Sequence, residues 1–451
     1  MPAVPPLLRE HAGAPSVTTD DGTHSWEALV SSAHGAAEDL RRAGVHAGDR
    51  VAIDVDGALP RLSWLLGADL LAAASLVVDP SWSGRERKAV LADVEAAAHV
   101  TVPPGPPEAR TEPVGDDETL FYLPTTSGSS GRPKVLVRTR ASWQRSFEAF
   151  EIGTTPDDVV LVPGPLSSSL FLFGTAHALH RGLAVRLLER WSPVAAAEAG
   201  REATVVHLVP AMLDSMLSVL ERNEPMRARC RLRKVVCGGA RMEDALRRRL
   251  ADTLPDCEAV EYYGSAEHSV VAIRHDDGPL RPVSGVDVRV VDGVLQVRSG
   301  LVHGGSVEAA KLRPVEPGWS STGDLATLHE DGSLTVHGRA GAVVSSGGTL
   351  VPAEEVEAVL RTVTGVREVI VVGSPHGRLE STVTAVVEPD PESPPRLRDL
   401  RGHAREALAP GKRPRRWLAT PSIPRTASGK PARADVSRSV LDGTLTVQEW
   451  P

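Results

Sequence analysis

The sequence predicts a layered α/β protein, large in its N-terminal part and closed by a small α+β unit. Helical and strand-like periodicities alternate up to about residue 280, two turn-punctuated hairpins follow, and beyond residue 340 a short helix–strand–strand–helix series ends the pattern. A chain of 451 residues is expected to form two or three domains, and 41% apolar residues suffice for packed cores.

Trp26, Leu29, Val30, Ala33, Ala37 and Leu40 recur at helical spacing, and Gly44 follows as a stop signal. Val51, Ile53 and Val55 then predict a short strand. ATVVH (203–207) reads as a buried strand, PAMLDSMLSVLE (210–221) as a helix, and KVVCGG (234–239) as a strand entering a loop. The proline-rich stretch 103–118 is expected to be a surface connection between subdomains. VDVRVV and VLQVR flank Asp292-Gly293, and DLATL and SLTVHG flank Glu330-Asp331-Gly332; both pairs read as β-hairpins with suitable turn chemistry. The last part predicts a helix near 353–362, strands near 368–373 and 381–388, and a helix near 396–409. No internal repeat is found.

A formal net charge of -8 argues against a general nucleic-acid binder. No run reaches 18 uninterrupted apolar residues, and the first residues lack a signal-peptide pattern. Cys230, Cys237 and Cys257 show no metal spacing. A cytoplasmic enzyme without nucleic-acid or membrane partners is the expectation. Only six of the fifty basic residues are lysines, so a lysine kept in a glycine-rich loop is informative: a compact ammonium is not copied by a planar guanidinium. Lys134 and Lys430 are two such residues. From Arg396 to Arg438, twelve basic residues face Asp399, Glu406 and Asp435, either as a solvated face or as an attraction for a phosphorylated ligand or an acidic protein.

In TLFYLPTTSGSSGRPK (119–134) an apolar strand feeds hydroxyls and glycines and ends in lysine. Glycines let backbone amides close on an anion, hydroxyls add donors, and lysine adds a mobile charge, which suits nucleotide phosphates. The pattern is not a P-loop, since Val135 follows Lys134. IPRTASGKPAR (423–433) is a second glycine–lysine loop. Alone it reads equally as a basic surface turn; with the first it suggests one site built from two domains. In AVEYYGSAEHS (259–269) paired tyrosines precede Glu267, a carboxylate suited to Mg2+. In WSSTGDLATL (319–328) Asp324 follows a Thr-Gly turn at a strand start, as a ribose ligand or an ordinary turn residue.

In this order, TTSGSSGRPK, VPAMLDSML, GGARM, YYGSAE, GWSSTGD, VHGRAG, GGTLVPAEEVE and PRTASGK resemble the acyl-adenylate-forming (AMP-binding) superfamily of acyl- and aryl-CoA synthetases, luciferases and peptide-synthetase adenylation domains, over roughly residues 20–435. The resemblance implies layered α/β subdomains plus a small β-barrel-like part over 1–338, a hinge at 339–342 and a mobile α+β lid over 343–451. It implies that Thr126, Ser127, Gly128, Ser129, Ser130, Gly131 and Lys134 hold the ATP β- and γ-phosphates. Tyr263 would pack on adenine, Gly264 would belong to the nucleotide site, Glu267 would bind Mg2+, Asp324 would bind the ribose hydroxyls, and Arg339 would assist at the ribose or phosphate. Lys430, at the attacking carboxylate and the α-phosphate, would be the main catalytic residue, with Glu267 and Lys134 also catalytic. The family's hinge aspartate is here Gly341, its threonine before the glutamate is Ala266, and its acyl-entrance histidine or aromatic is a serine of PLSSS.

The implied acyl pocket holds Ser168, Phe171, Phe173, His207, Gly239, Ala240, Tyr262 and Ala266. The two phenylalanines read equally as core residues, and His207 more often as one than as a ligand contact. GPLSSSLFLFGTAHALHRG (164–182) contains no acidic residue to meet an ammonium, so an aryl or short-to-medium acyl acid is expected and an α-amino acid is not. The acceptor is a thiol, CoA in the first reading and a phosphopantetheinyl carrier protein in the second. A degenerate nucleotide-binding partner protein, or an enzyme passing the acyl group to an amine or nitrite, are the other readings.

Overall fold

The computed structural model describes residues 3–11, 15–82, 84–127, 133–339, 342–346, 349–376, 379–408, 410–425, 430–448 and 450. The chain divides into two compact units, Met1–Asp287 with Arg298–Gly318, and Val288–Val297 with Trp319–Pro451.

In the first unit the βαβ rhythm becomes a large sheet. Its centre is parallel, in the order Ala184–Leu187, Val159–Val162, Val205–Leu208, Lys234–Cys237 and Glu258–Ser265. Ser269–His275 returns antiparallel beside Glu258–Ser265. At the far edge Val17–Thr19 runs parallel to Ala184–Leu187, setting Val17 against Val185. Val206, Leu208, Val235 and Cys237 face the helix Pro210–Arg222 and its neighbours. The alternate residues, His207 among them, face the opposite side of the sheet.

A second sheet of this unit runs Lys311–Pro314, Gly305–Glu308, Pro133–Thr139, Leu120–Tyr122, Ala74–Val77, Arg50–Ile53 and Ala98–Val100. The strand expected at 51–55 ends at Ile53; Val51, Ala52 and Ile53 are all buried, so it is covered on both faces rather than one. The helix Trp26–Arg42 begins at Ser25, whose hydroxyl accepts from the Ala28 N–H at 3.2 Å. It buries the predicted stripe from Trp26 to Leu40.

The stretch 103–118 does not join subdomains. It carries the chain from Ala98–Val100 to Leu120–Tyr122, two strands of one sheet, and is laid along the helix Trp26–Arg42. The Gly105 N–H donates to Asp39 and the Glu108 N–H to Glu38, both at 2.8 Å, and the Thr111 N–H to His34 Nδ1 at 3.1 Å. Helix side chains supply the acceptors that an irregular, proline-rich backbone lacks.

The hairpin sheet falls mostly in the second unit, in the order Val286–Val291, Val294–Ser299, Ser320–Leu328 and Leu334–Arg339. Asp292 and Gly293 have φ of +51° and +77°, the left-handed pair that a two-residue hairpin turn requires. Beyond it Val366–His376 pairs antiparallel with Leu379–Pro389, and Arg416–Ala419 adds in parallel. Val369 and Val371 face the helices Ala353–Arg361 and Leu397–Ala407, while Ile370 and Val372 face the helix Arg433–Leu441. The third strand and the last helix lie outside the sequence expectation. Among the described residues no helix is long and apolar enough to cross a membrane, and all three cysteines are free thiols.

Candidate active site

Strand Thr125–Ser127 pairs antiparallel with Pro133–Thr139, setting Thr126 opposite Lys134 and Ser127 opposite Pro133. The pairing draws together the two ends of the Ser/Gly segment; Gly128, Ser129, Ser130 and Gly131 lie outside the described residues. Lys134 is exposed, whereas Val135, Leu136 and Val137 after it are buried.

Glu267 sits on the short turn between Glu258–Ser265 and Ser269–His275. Gly264 is required there, because a Cβ on it would stand 2.2 Å from the Ser269 carbonyl oxygen. The Glu267 carbonyl accepts from the His303 N–H at 2.8 Å. Burial works to raise the Glu267 carboxyl, but its own backbone N–H and the hydroxyls of Ser265 and Thr126 outweigh it, and the group is held below the ordinary glutamate value. The Thr126 hydroxyl of the hairpin and the Glu267 carboxylate of the turn, predicted separately, are thus close enough to act on each other.

Arg138, which sequence reasoning did not single out, lies beside them. Its side chain is 1% exposed. Nη1 reaches the Glu267 carbonyl at a long 3.5 Å, and Nε has no partner. Two residues on, Arg140 is equally buried but paired, its Nε donating to Asp69 Oδ1 at 2.7 Å. Burial lowers Arg138 to about 9, partly offset by Glu267 and Tyr122, so it stays charged at neutral pH. His303 is held below its usual value by burial, with Arg138 and Lys134 adding to the effect. Arg138 and His303 thus meet the Glu267 carbonyl, and Lys134 and Arg138 both act on His303, an arrangement that leaves two cations for an anion. The signal in the sequence was the continuous apolar run Val135–Val137, which marks a strand buried on both faces.

A second group lies between the large sheet and the helices Arg140–Ala149 and Ser169–His180. Phe150 is its hub, 5.4 Å from Phe173, 5.2 Å from Tyr262 and 6.2 Å from His207 between ring centroids. Gly174 lets the helix close on His207: a Cβ there would stand 2.9 Å from Nδ1. Neither His207 nitrogen has a hydrogen-bond partner. Of the predicted lining, Phe173, His207 and Tyr262 come together. Phe171 instead lies over Gly164, 2.1 Å from where a Cβ would be. Gly239 and Ala240 are exposed past the end of Lys234–Cys237, while Ser168 and Ala266 are half-buried. Phe150 was missed because it lies outside every motif.

Burial drives His207 down to about 4 and His177 well below its usual value. An unfolded histidine takes its proton near 6.5. Between those values the unfolded chain holds the extra proton, so stability falls as pH falls, by on the order of 3 kcal/mol for His207. His207→Leu is expected to flatten the loss of stability between pH 7 and 4 in denaturant titrations. An unchanged slope would mean that the folded imidazole is not held neutral.

In the second unit Asp324 is buried inside Ser320–Leu328, not at a strand start as expected, because the strand begins before the Thr-Gly step. It stands opposite Arg339 in the ladder. Gly341 lies outside the described residues. Lys430 is exposed; Arg425 and Pro431 bridge across its segment, and the Ala432 N–H donates to the Pro424 carbonyl at 2.7 Å. Three residues on, Arg433 grips the buried Glu357 carboxylate at 2.5 and 2.7 Å and fastens this segment to the helix Ala353–Arg361.

Among the described residues no group of three or more His, Cys, Asp or Glu side chains is placed to hold a metal. Glu267, ionised and partnered by hydroxyls, fits a magnesium ion that takes most of its ligands from phosphate oxygens and water.

Comparison with known proteins identifies the family. The chain is 28% identical over 460 residues to an uncharacterized acyl–CoA ligase, YhfT, of Bacillus subtilis, covering 92% of each. It is 27% identical over 486 residues to ScoC of Streptomyces coeruleorubidus, a fatty acid–[acyl-carrier-protein] ligase, covering 94% of this chain and 92% of the relative. Its fold matches ATP-bound MatB from Rhodopseudomonas palustris with a TM-score of 0.87 at 22% identity, over 97% of this chain and 98% of the other. The profile of the AMP-binding enzyme family matches residues 8–118 and 104–304, and that of the AMP-binding enzyme C-terminal domain matches 355–430. The two together take in most of the sequence, and the protein is a member of the AMP-binding enzyme family.

Proposed function

We propose that the chain uses ATP to convert a carboxylic acid to its acyl-AMP, releasing pyrophosphate, and then passes the acyl group to a phosphopantetheine thiol, the arm that CoA shares with carrier proteins. The observation that carries this reading is the ionised Glu267 beside the Thr126 hydroxyl, with Arg138 at the Glu267 carbonyl and Lys134 across the ladder from Thr126. A hydroxyl, an ionised carboxylate and two cations at the foot of a Ser/Gly segment suit a metal-bound triphosphate.

In the first step a carboxylate oxygen attacks the α-phosphorus and pyrophosphate leaves. Two anions meet there, so positioned positive charge is the main requirement. Thr126, Ser127, the Ser/Gly segment and Lys134 take the β- and γ-phosphates; Tyr263 and Gly264 take the adenine; Asp324 and Arg339 take the ribose. Lys430 meets the carboxylate and the α-phosphate. A magnesium ion on Glu267 supplies further positive charge when bound. In the second step the thiol sulfur attacks the acyl carbon, the bond to AMP breaks, and the thiol proton passes to water. Residues 339–342, with Gly341, act as the hinge on which the lid exchanges the two steps.

The acid is aryl or short-to-medium acyl. Phe150, Phe173, His207 and Tyr262 offer aromatic surface and a neutral imidazole. The Glu261 carboxylate is turned toward Arg247 and the Met242 N–H and is not offered to an ammonium. Pyrophosphate exchange across a panel of acids tests the reading, with turnover expected for aryl or alkyl acids and amino acids at least tenfold worse. Exchange with amino acids alone would refute the pocket assignment, and exchange with none would refute adenylation.

A further inference from the structure

The C-terminal unit carries a face whose charge opposes that of the chain. The whole sequence is -8, yet between residues 396 and 416 seven arginines and Lys412 stand against only Asp399 and Glu406. The helix Leu397–Ala407 buries Leu400 and Ala404 against the sheet. Arg398, Arg401 and Arg405 are exposed, and their spacing places them in one stripe, roughly 10 Å long at 1.5 Å per residue. Arg413 extends it past the helix end, donating to the carbonyls of Arg405 and Leu408 at 2.8 Å each. Arg415 and Arg416 follow, both exposed.

Little in the molecule answers this charge. Arg398 meets Asp399 at 3.5 Å, but both side chains are largely in water, where such a pair contributes little. Among the described residues no carboxylate is within ion-pair distance of Arg401, Arg405, Arg415 or Arg416. The helix C-terminus favours Arg405 and Arg413, but that accounts for neither Arg398 nor Arg401, nor for the pair beyond the helix. A lone phosphate, such as that of CoA, is satisfied by one or two cations. A row this long is matched by a helix bearing a row of carboxylates.

Resting on the thiol-transfer reading above, we infer that the face of Arg398, Arg401, Arg405 and Arg413 docks an acidic carrier protein that presents the acceptor thiol on its phosphopantetheine arm. The stripe steers encounter and sets orientation; it takes no part in making the adenylate.

The test uses full-length R401E/R405E beside the parent, with R401Q/R405Q as the milder pair. Pyrophosphate exchange and acyl transfer to CoA are expected within about twofold of the parent. Transfer to a purified acidic holo acyl carrier protein is expected to lose about tenfold or more in kcat/KM, and the parent to lose a similar factor at high salt. Carrier binding is followed in parallel by fluorescence anisotropy, which reads docking even in protein that makes no adenylate. Carrier transfer and binding indifferent to the charge reversal would overturn the inference. A parallel loss with CoA would overturn it in favour of a phosphate site. Absent exchange in the parent with intact, charge-dependent carrier binding would instead count against adenylation alone.

Discussion

Replacing Lys430 with alanine is expected to remove acyl-AMP formation by on the order of 10²–10³ or more while ATP still binds. The residue is solvent-exposed, on a segment closed by the Arg425–Pro431 bridge and fixed behind by the Arg433–Glu357 pair. Its side chain lies at the surface, so its loss leaves the core in place. Attack of a carboxylate on a phosphate needs a cation at the reacting atoms more than in the ground state, so the loss belongs in kcat rather than in ATP affinity. Exchange kinetics beside calorimetric ATP titration separate the two. A variant that adenylates at the parent rate would remove the residue from the mechanism.

Glu267→Gln keeps the shape of the side chain and deletes its charge. Exchange is expected to drop by about two orders of magnitude, and ATP binding to need about tenfold more Mg2+. The thermal midpoint is expected to fall slightly, since the folded site favours the ionised carboxylate over a neutral group. Arg138→Leu makes the opposite change in the same cluster. It removes a buried cation whose Nε has no partner and whose Nη1 meets the Glu267 carbonyl rather than its carboxylate, so stability is expected to hold or rise. ATP affinity is expected to weaken about tenfold as the phosphates lose a counter-charge. Arg140→Leu gives the contrast: it strands the buried Asp69 carboxylate and is expected to destabilise by about 3–5 kcal/mol. If Glu267→Gln retains the parent's Mg2+ dependence, the carboxylate has been misassigned.

Much of this was legible because its causes are local. Asp292-Gly293 announces its hairpin since few other residues accept two consecutive left-handed conformations. The buried stripe of Trp26–Arg42 is visible in its spacing. Arg138 was hidden because strand alternation makes a charged residue after apolar ones look exposed, and arginine is common throughout this chain. Asp324 was misplaced because Thr-Gly reads as a turn, whereas Gly323, at φ +72°, lies within a longer strand. The path of 103–118 depends on carboxylates some seventy positions away, which no local window contains. Phe150 gathers three predicted residues without belonging to any motif.

The pairing of Val17 with Val185 has a consequence for biosynthesis. Val17–Thr19 has no sheet neighbour on its inner side until residues 184–187 leave the ribosome. At ordinary elongation rates that wait is on the order of ten seconds. Until then Val17–Thr19 and its return strand are an exposed edge, open to pairing with another nascent chain. Completion of the large sheet, and with it the seat of His207 and Tyr262, is therefore gated by translation, and chaperone dependence should concentrate in that interval.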